Sequence, residues 1–309
     1  MRILVTGSKG LIGSSLIRKL EMLGLEVVEY DICIDAAQTL LDPLFLSQKL
    51  QGCQGVIHLA AVSRVIFGER HPELCWKTNV EGTQNVLEGA LKASSRPWVI
   101  YASSREVYGQ QPKLPVAESA PLDPVNIYGR SKAAAEAAVL QARKRGLKVG
   151  ILRFSNVYGS VNDYEDRVIP AFCRRAVLGE DLIVEGNDNL FDFTYIDDVV
   201  RGIVSMISKL GSSSEPLPPI HLTTGQATRL RAAAGWALKA ANSCSKVVQG
   251  TPRSFDVATF YGDPGRARRL LDWEATVFIE EGMARLVQQF ELLVKNHPLQ
   301  EVNPNPCMR

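Results

Sequence analysis

The opening thirty-one residues confine this chain to a small set of folds. Met1 to Val5 is a short apolar run suited to a buried strand, and Ser14 to Leu23 reads as an amphipathic helix. Between them lies Thr6-Gly7-Ser8-Lys9-Gly10-Leu11-Ile12-Gly13. Strand, glycine turn and helix form the start of a βαβ unit whose turn is shaped for phosphate. Gly7 permits the tight turn, Gly10 lets backbone approach a pyrophosphate, and Gly13 lets helix and strand pack closely. Leu11 and Ile12 open the helix, so their N–H groups face a bound anion at the positive end of its dipole. The glycines are spaced three and three, unlike the two-then-three spacing of the most familiar dinucleotide fingerprint. A second strand, Glu26 to Tyr30, ends in Asp31. A carboxylate there accepts both adenosine ribose hydroxyls and repels the 2′-phosphate of NADP, so the expected cofactor is NAD(H). Asp42 falls where the following loop could reach the adenine.

Further along, β-like runs alternate with helical ones. Val56 to Ala60, Trp98 to Ala102 and Val149 to Phe154 are strand candidates; Gly82 to Ala93 and Ser131 to Arg145 are the helices between them. Such alternation predicts an α/β fold, a Rossmann-type doubly wound parallel sheet covered by helices on both faces. After about Tyr158 the pattern loosens. A helix is expected over Ile169 to Leu178, a strand over Asp192 to Ile196, a strand-to-helix passage over Ile196 to Lys209, and a loop over Gly211 to Pro219. We therefore divide the chain into a cofactor-binding domain over 1–158, to which later segments return, and a smaller carboxy-terminal substrate lobe over 159–295. The polar, proline-punctuated residues 296–309 read as a frayed tail.

Composition excludes several classes. The chain has 309 residues, 46% hydrophobic and 22% charged, with a net charge of +2. No basic run interleaved with aromatics marks a nucleic-acid face, no apolar stretch is long enough to span a bilayer, and the start reads as a core strand rather than a signal peptide. Six scattered cysteines lack metal-type spacing and read as reduced thiols of a cytoplasmic protein. Four histidines form no ligand cluster, so no metal is expected.

Chemistry is concentrated in Ile127-Tyr128-Gly129-Arg130-Ser131-Lys132, followed by the Ala/Glu/Leu-rich helix of Ala133 to Ala142. Tyrosine and lysine at i and i+4 share a helix face, where an ammonium can lower the pKa of a phenol and let it shuttle a proton. A serine pair, Ser103-Ser104, lies about one strand upstream. These stretches, with His58-Leu59-Ala60-Ala61, Thr78 to Thr83, Ser103 to Gly109, Leu152 to Gly159, Phe191 to Val199 and Pro252 to Trp273, carry a resemblance over nearly the whole chain. The sequence resembles the extended short-chain dehydrogenase/reductases, specifically their nucleotide-sugar epimerases and dehydratases.

The resemblance implies roles residue by residue. Tyr128 looks like the base/acid that takes a proton from a sugar hydroxyl, Lys132 its electrostatic partner and a contact of the nicotinamide ribose, and Ser104 the hydroxyl that bonds the reacting oxygen. Asn79 matches a structural amide near the cofactor, and Ala60 and Ala61 match backbone lining its ribose and phosphate. Asn156 matches a substrate contact near the diphosphate. Arg253 and Asp256 match an arginine on the diphosphate and a carboxylate near the nucleotide ribose. Two departures stand out. Where the family often has an arginine before Asp-Phe, this chain has Phe191, so diphosphate grip shifts to Arg253 with Arg167 as helper. Where dehydratases carry an acid and a glutamate after the serine, it has Arg105 and Glu106: the glutamate is kept as a candidate catalytic group, and the acid is replaced by a cation. The implied activity is an NAD-dependent nucleotide-sugar 4-epimerase. A 4,6-dehydratase or glucuronate decarboxylase is the alternative, then a keto-sugar reductase or a non-catalytic NAD-binding protein. Relatives pair the helices around Gly82–Ala93 and Ser131–Arg145 into a homodimer, with Leu87, Leu91, Val139 and Leu140 as the apolar patch.

Overall fold

The computed structural model describes residues 1–186, 189–213, 215–251 and 257–296. Six strands form one parallel sheet: β1 (Arg2–Thr6), β2 (Glu26–Tyr30), β3 (Gly55–His58), β4 (Trp98–Ser104), β5 (Val149–Phe154) and β6 (Ile220–Leu222). Their spatial order is β2-β1-β3-β4-β5-β6. The chain leaves β1 toward one edge and crosses back to β3 on the other side. That reversal opens a crevice at the carboxyl ends of β1 and β3, where ligands bind in such sheets.

Alternation along each strand feeds two cores. Ile3, Val5, Ile57, Ile100, Ala102, Leu152 and Phe154 join one cluster, while Leu4, Tyr30, Val56, Val99, Tyr101, Val149 and Ile151 join the other. Successive side chains point to opposite faces, so strands covered on both faces read as unbroken apolar runs. The helices are α1 (Leu11–Met22), α2 (Pro43–Leu50), α3 (Val65–Arg70), α4 (Pro72–Trp76), α5 (Gly82–Lys92), α6 (Ile127–Lys144), α7 (Val168–Leu178), α8 (Ile196–Ser212), α9 (Leu230–Ala240), α10 (Gly265–Leu271) and α11 (Ile279–Asn296). Leu16 and Leu20 of α1 and Val199, Ile203 and Met206 of α8 cover the first face; α2, α5 and α6 cover the second.

Beyond β5 the chain builds a lobe from α7, α9 and α11, which pack on one another, and from short strand pairs. Leu182–Glu185 runs parallel to Val247–Gly250, Asn156–Tyr158 parallel to Phe193–Tyr195, and Leu190–Phe191 lies between Thr228–Arg229 and Thr259–Phe260. Two buried carboxylates tie these segments together. Asp192 accepts from the Thr224 N–H and hydroxyl and the Gly225 N–H at 2.8–2.9 Å. Asp198 accepts from the Thr276 and Val277 N–H groups, each at 2.9 Å.

Several expectations need correction. The third strand stops at His58, before Ala60: Leu59 makes the last ladder bond, to the Thr6 carbonyl, and the Ala60 N–H turns to the Thr6 side-chain hydroxyl at 3.2 Å. The helix of Tyr128 starts at Ile127, since Asn126 caps it by accepting from the Gly129 N–H at 2.8 Å. Leu87 and Val139, expected on an open patch, are 3% and 0% exposed because α5 packs against α2 and α6, and α6 against β4 and β5; Leu91 and Leu140 are half-buried. Cys53, Cys75, Cys173 and Cys244 are free thiols, but Cys33 is disulfide-bonded. It lies half-buried on the loop after β2, whereas Cys53, Cys75 and Cys173 are buried. Among the described residues, no helix is long and apolar enough to cross a membrane.

Candidate active site

A cavity of about 1050 Å³ follows the crevice from the glycine turn to the carboxy-terminal lobe. Its first half is made by backbone. Gly7 has φ +71°, and a Cβ there would stand 2.6 Å from the Ala60 nitrogen. A Cβ on Gly13 would stand 2.1 Å from the Gly7 carbonyl oxygen. Turn, helix and β3 loop meet at distances only glycine tolerates. A Cβ on Gly10 would meet nothing closer than 3.4 Å; Gly10 instead lines the open cavity. It precedes α1 without a side-chain cap, so the first-turn N–H groups at Leu11 and Ile12 have no intrahelical partner. A dinucleotide pyrophosphate fits this wall.

Asp31 lines the cavity beyond the turn. Its carboxylate accepts from the Lys9 and Cys33 N–H groups, each at 2.9 Å, and Gln38 accepts from the Asp31 N–H at 2.8 Å. Backbone thus fixes the carboxylate on the cavity wall. Asp42 does not line the cavity; its Oδ1 caps α2, accepting from the Leu44 and Phe45 N–H groups at 3.0 Å. Asn79 is likewise behind the wall. It exchanges bonds with the Val62 N–H and carbonyl at 2.8 and 3.0 Å and donates to the Ser131 hydroxyl at 2.9 Å, fastening the β3 loop, with Ala60 and Ala61, to α6. His58 sits beneath, between the Thr6 and Thr83 hydroxyls at 2.7 and 2.9 Å.

The candidate reacting end assembles where β4 meets α6. Ser104 ends β4, and its Oγ accepts from the Glu106 N–H, opening the short helical turn Arg105–Tyr108. Gly129 brings α6 against that turn: a Cβ on it would stand 2.4 Å from the Glu106 carbonyl oxygen. Tyr128 is thereby carried to Ser104. Asn126 completes the joint, donating from Nδ2 to Glu106 Oε2 at 2.8 Å. The asparagine before a helix is a readable capping signal, but its second bond comes only with the fold.

Burial dominates the electrostatics. It pushes the Tyr128 phenol up to about 12, against a hydrogen bond with Ser104 and the charge of Arg167, which pull it down. Burial pulls Lys132 down to about 8. The expected depression of Tyr128 by Lys132 is therefore not what this structure displays. The Lys132 ammonium donates to the Ala102 carbonyl at 2.8 Å and stands 6.0 Å from the Tyr128 ring centroid. Arg167 supplies the cationic influence instead.

Glu106, Tyr128, Lys132, Asn156 and Arg167 line the cavity together with Ser104. Arg253 and Asp256 lie outside the described residues. Not foreseen is a strap of two loops beside Tyr128. Arg64 pairs with Asp166, its guanidinium lies 4.8 Å from the Tyr164 ring centroid, and Arg167 Nη2 reaches the Ser63 hydroxyl at 3.4 Å. The charged run Asp163 to Arg167 was its only local trace. Arg105 is the larger surprise. It pairs with Glu106 at 2.8 Å and stacks 4.7 Å from the ring centroid of Phe191, so the two departures from the family pattern touch each other.

Comparison with known proteins agrees with this geometry. Residues 3–216 match the family described as "NAD dependent epimerase/dehydratase family". UDP-glucuronic acid decarboxylase 6 of Arabidopsis thaliana is 29% identical over 94% of this chain and 89% of its own. UDP-glucose 4-epimerase of Thermotoga maritima, solved with UDP-glucose, superposes with a TM-score of 0.88 at 28% identity, covering 95% of this chain and all of that one. A dTDP-glucose 4,6-dehydratase of Streptomyces venezuelae, solved with NAD, gives 0.87 at 27% identity, covering 96% and 99%. Three activities stand at nearly equal distance, so similarity alone does not choose among them. The chain belongs to the NAD-dependent epimerase/dehydratase family, and NAD is its cofactor.

Proposed function

We propose that this enzyme is a nucleotide-sugar 4-epimerase working through a transient 4-keto-sugar. The glycine turn, the uncapped start of α1 and Asp31 would hold NAD, which when bound accepts and returns the hydride at the sugar carbon. Tyr128 takes the proton from the C4 hydroxyl and later gives it back. Ser104 bonds the reacting oxygen, and with Arg167 it offsets the burial that raises the phenol. The nucleoside diphosphate serves as a remote handle whose binding energy orients the ring. Asn156 and Arg167, both on the cavity wall, are its proposed contacts, with Arg253 and Asp256 carried from the resemblance.

The observation that carries this reading is the Arg105–Glu106 pair. Elimination from a 4-keto-sugar needs an acid for the departing C6 hydroxyl. Both Glu106 oxygens already accept, from Arg105 and from Asn126 Nδ2, and an arginine does not give up its proton. Incubating purified protein with a panel of nucleotide sugars, followed by mass and NMR analysis, tests it. A new sugar of unchanged mass supports epimerisation; loss of water or carbon dioxide replaces it with the dehydratase or decarboxylase reading. The same proposal includes a homodimer through α5 and α6, supported by the part-exposed Leu91 and Leu140 and by Trp76 on the neighbouring α4, 40% exposed. Light scattering that finds a monomer at micromolar concentration would remove it.

A further inference from the structure

Arg105 carries an unanswered donor. The residue is 9% exposed; Nη2 holds Glu106 Oε1 at 2.8 Å, and the guanidinium lies 4.7 Å and 5.7 Å from the ring centroids of Phe191 and Phe260. Nη1 is buried without a hydrogen-bond partner among the described residues, although Arg105 lines the cavity beside Ser104 and Tyr128. A permanently charged donor left bare is costly, and two aromatic rings and an ion pair hold this one in a single orientation.

We infer that Arg105 recognises a carboxylate at C6 of the sugar, so that the substrate is a nucleoside-diphosphate hexuronate. The inference rests on the 4-keto reading, which places C4 between Tyr128 and Ser104. Arg105 follows Ser104 directly, and the ring carbons flanking C4 bear only the C3 hydroxyl and, through C5, the C6 group. A C3 hydroxyl is common to hexoses and hexuronates and needs no cation. A C6 carboxylate accepts from Nη1 in a charge-assisted bond. The contact also governs the product. A 4-keto-hexuronate is a β-keto acid, and carbon dioxide leaves only if the carboxylate electrons flow toward the ketone. A guanidinium bond holds that charge in place. Hydride and proton leave C4 and O4 and both return, so the product is the C4 epimer with its carboxylate intact.

Calorimetry of the NAD-loaded protein with two matched pairs, UDP-glucose with UDP-glucuronate and UDP-galactose with UDP-galacturonate, reads the inference directly. Within each pair the nucleotide cancels. The hexuronate is expected to bind about tenfold or more tightly, in line with a charge-assisted bond. Equal affinities, or a preference for the hexose, overturn it. Arg105→Gln should bring the ratio below about threefold; an equal loss for both members also overturns it. Should that variant fail to fold, the wild-type ratio decides alone. Turnover of the same four compounds tests the epimerase reading separately: no new sugar from any of them removes that reading, while the affinity ratio still judges Arg105.

Discussion

The glycine turn and the reacting centre share one cavity but are built from different materials. At the turn, backbone does the work: three glycines, an uncapped helix start and a carboxylate pinned by two N–H groups. A ligand there meets groups whose position follows from the sheet itself. At the reacting centre the walls are side chains gathered from β4, α6, the 160s loop and the strand ending at Phe191. Binding of the common cofactor therefore depends on shape that few residues can spoil. In the proposed reading, choice of substrate and reaction falls to a handful of side chains that can change without disturbing the fold. Family members of different activity at nearly equal similarity are the expected consequence.

The hardest test of that division is Tyr128→Phe. Removing one hydroxyl while keeping the ring should lower turnover by about 10² or more, the range of a general acid–base group. NAD affinity, set at the other end of the cavity, should hold. Steady-state rates beside a cofactor titration check both halves; a large loss of NAD affinity would show that the two regions are not separable.

How much was legible follows the same line. The turn could be read because glycine identity is itself a geometric statement: Gly7 and Gly13 stand where a Cβ has no room. The sheet could be read because strands buried on both faces are apolar throughout. Asp42 caps α2, and in sequence a capping aspartate and a ligand-binding one look alike before α2 is in place. Leu87 and Val139 read as an outer patch because the packing of α5 on α2 and of α6 on the sheet has no local trace. The carboxy-terminal lobe pairs strands of two to four residues, too short for any period to show. The Arg105–Phe191 stack joins distant segments, so sequence showed two separate oddities where the fold shows one arrangement.

Acid stability gives a second contrast, because each region hides one histidine. Burial, with the charge of Lys132, pulls His58 down to about 3; burial, with the charge of Arg153, does the same to His221, which bonds the Tyr108 hydroxyl at 2.6 Å. The unfolded chain protonates its histidines near 6.5. Each therefore contributes stability that is complete above about pH 6.5 and is lost as pH falls toward 3, at about 1.4 kcal/mol per pH unit. Asp192 opposes this. Burial pushes it up to about 6, so between pH 6 and about 4 it regains stability on acidification and cancels part of one histidine's loss. Melting temperature should fall from pH 7 to pH 5. His58→Asn and His221→Asn should flatten the slope equally if both regions unfold as one unit; flattening by only one would mean they melt apart.

On the cofactor side, Asp31→Ala should cut the preference for NAD over NADP by about tenfold or more, a difference of about 1.4 kcal/mol. The effect is smaller than loss of the phenol because the pyrophosphate wall is untouched. Paired titrations of the apoprotein with both cofactors measure it, and an unchanged ratio would move the selectivity to another residue on the cavity rim.

The smallest expected effect sits on the substrate side, at Phe191. Its ring is the platform for the Arg105 guanidinium at 4.7 Å, and it packs edge-on against Phe193 at 6.2 Å. Phe191→Leu keeps an apolar side chain but removes the π face. A desolvated cation–π contact contributes about 1 to 2 kcal/mol, of which Phe260, 5.7 Å from the same guanidinium, retains part. The expected outcome is a rise in substrate KM of about threefold, with kcat changed less and NAD affinity unaltered. That pattern would mark Phe191 as a residue that positions Arg105 and acts on the sugar only through it. A fall in kcat with KM unchanged would instead place the ring against the reacting carbons, and a loss of NAD affinity would break the separation between the two ends of the cavity.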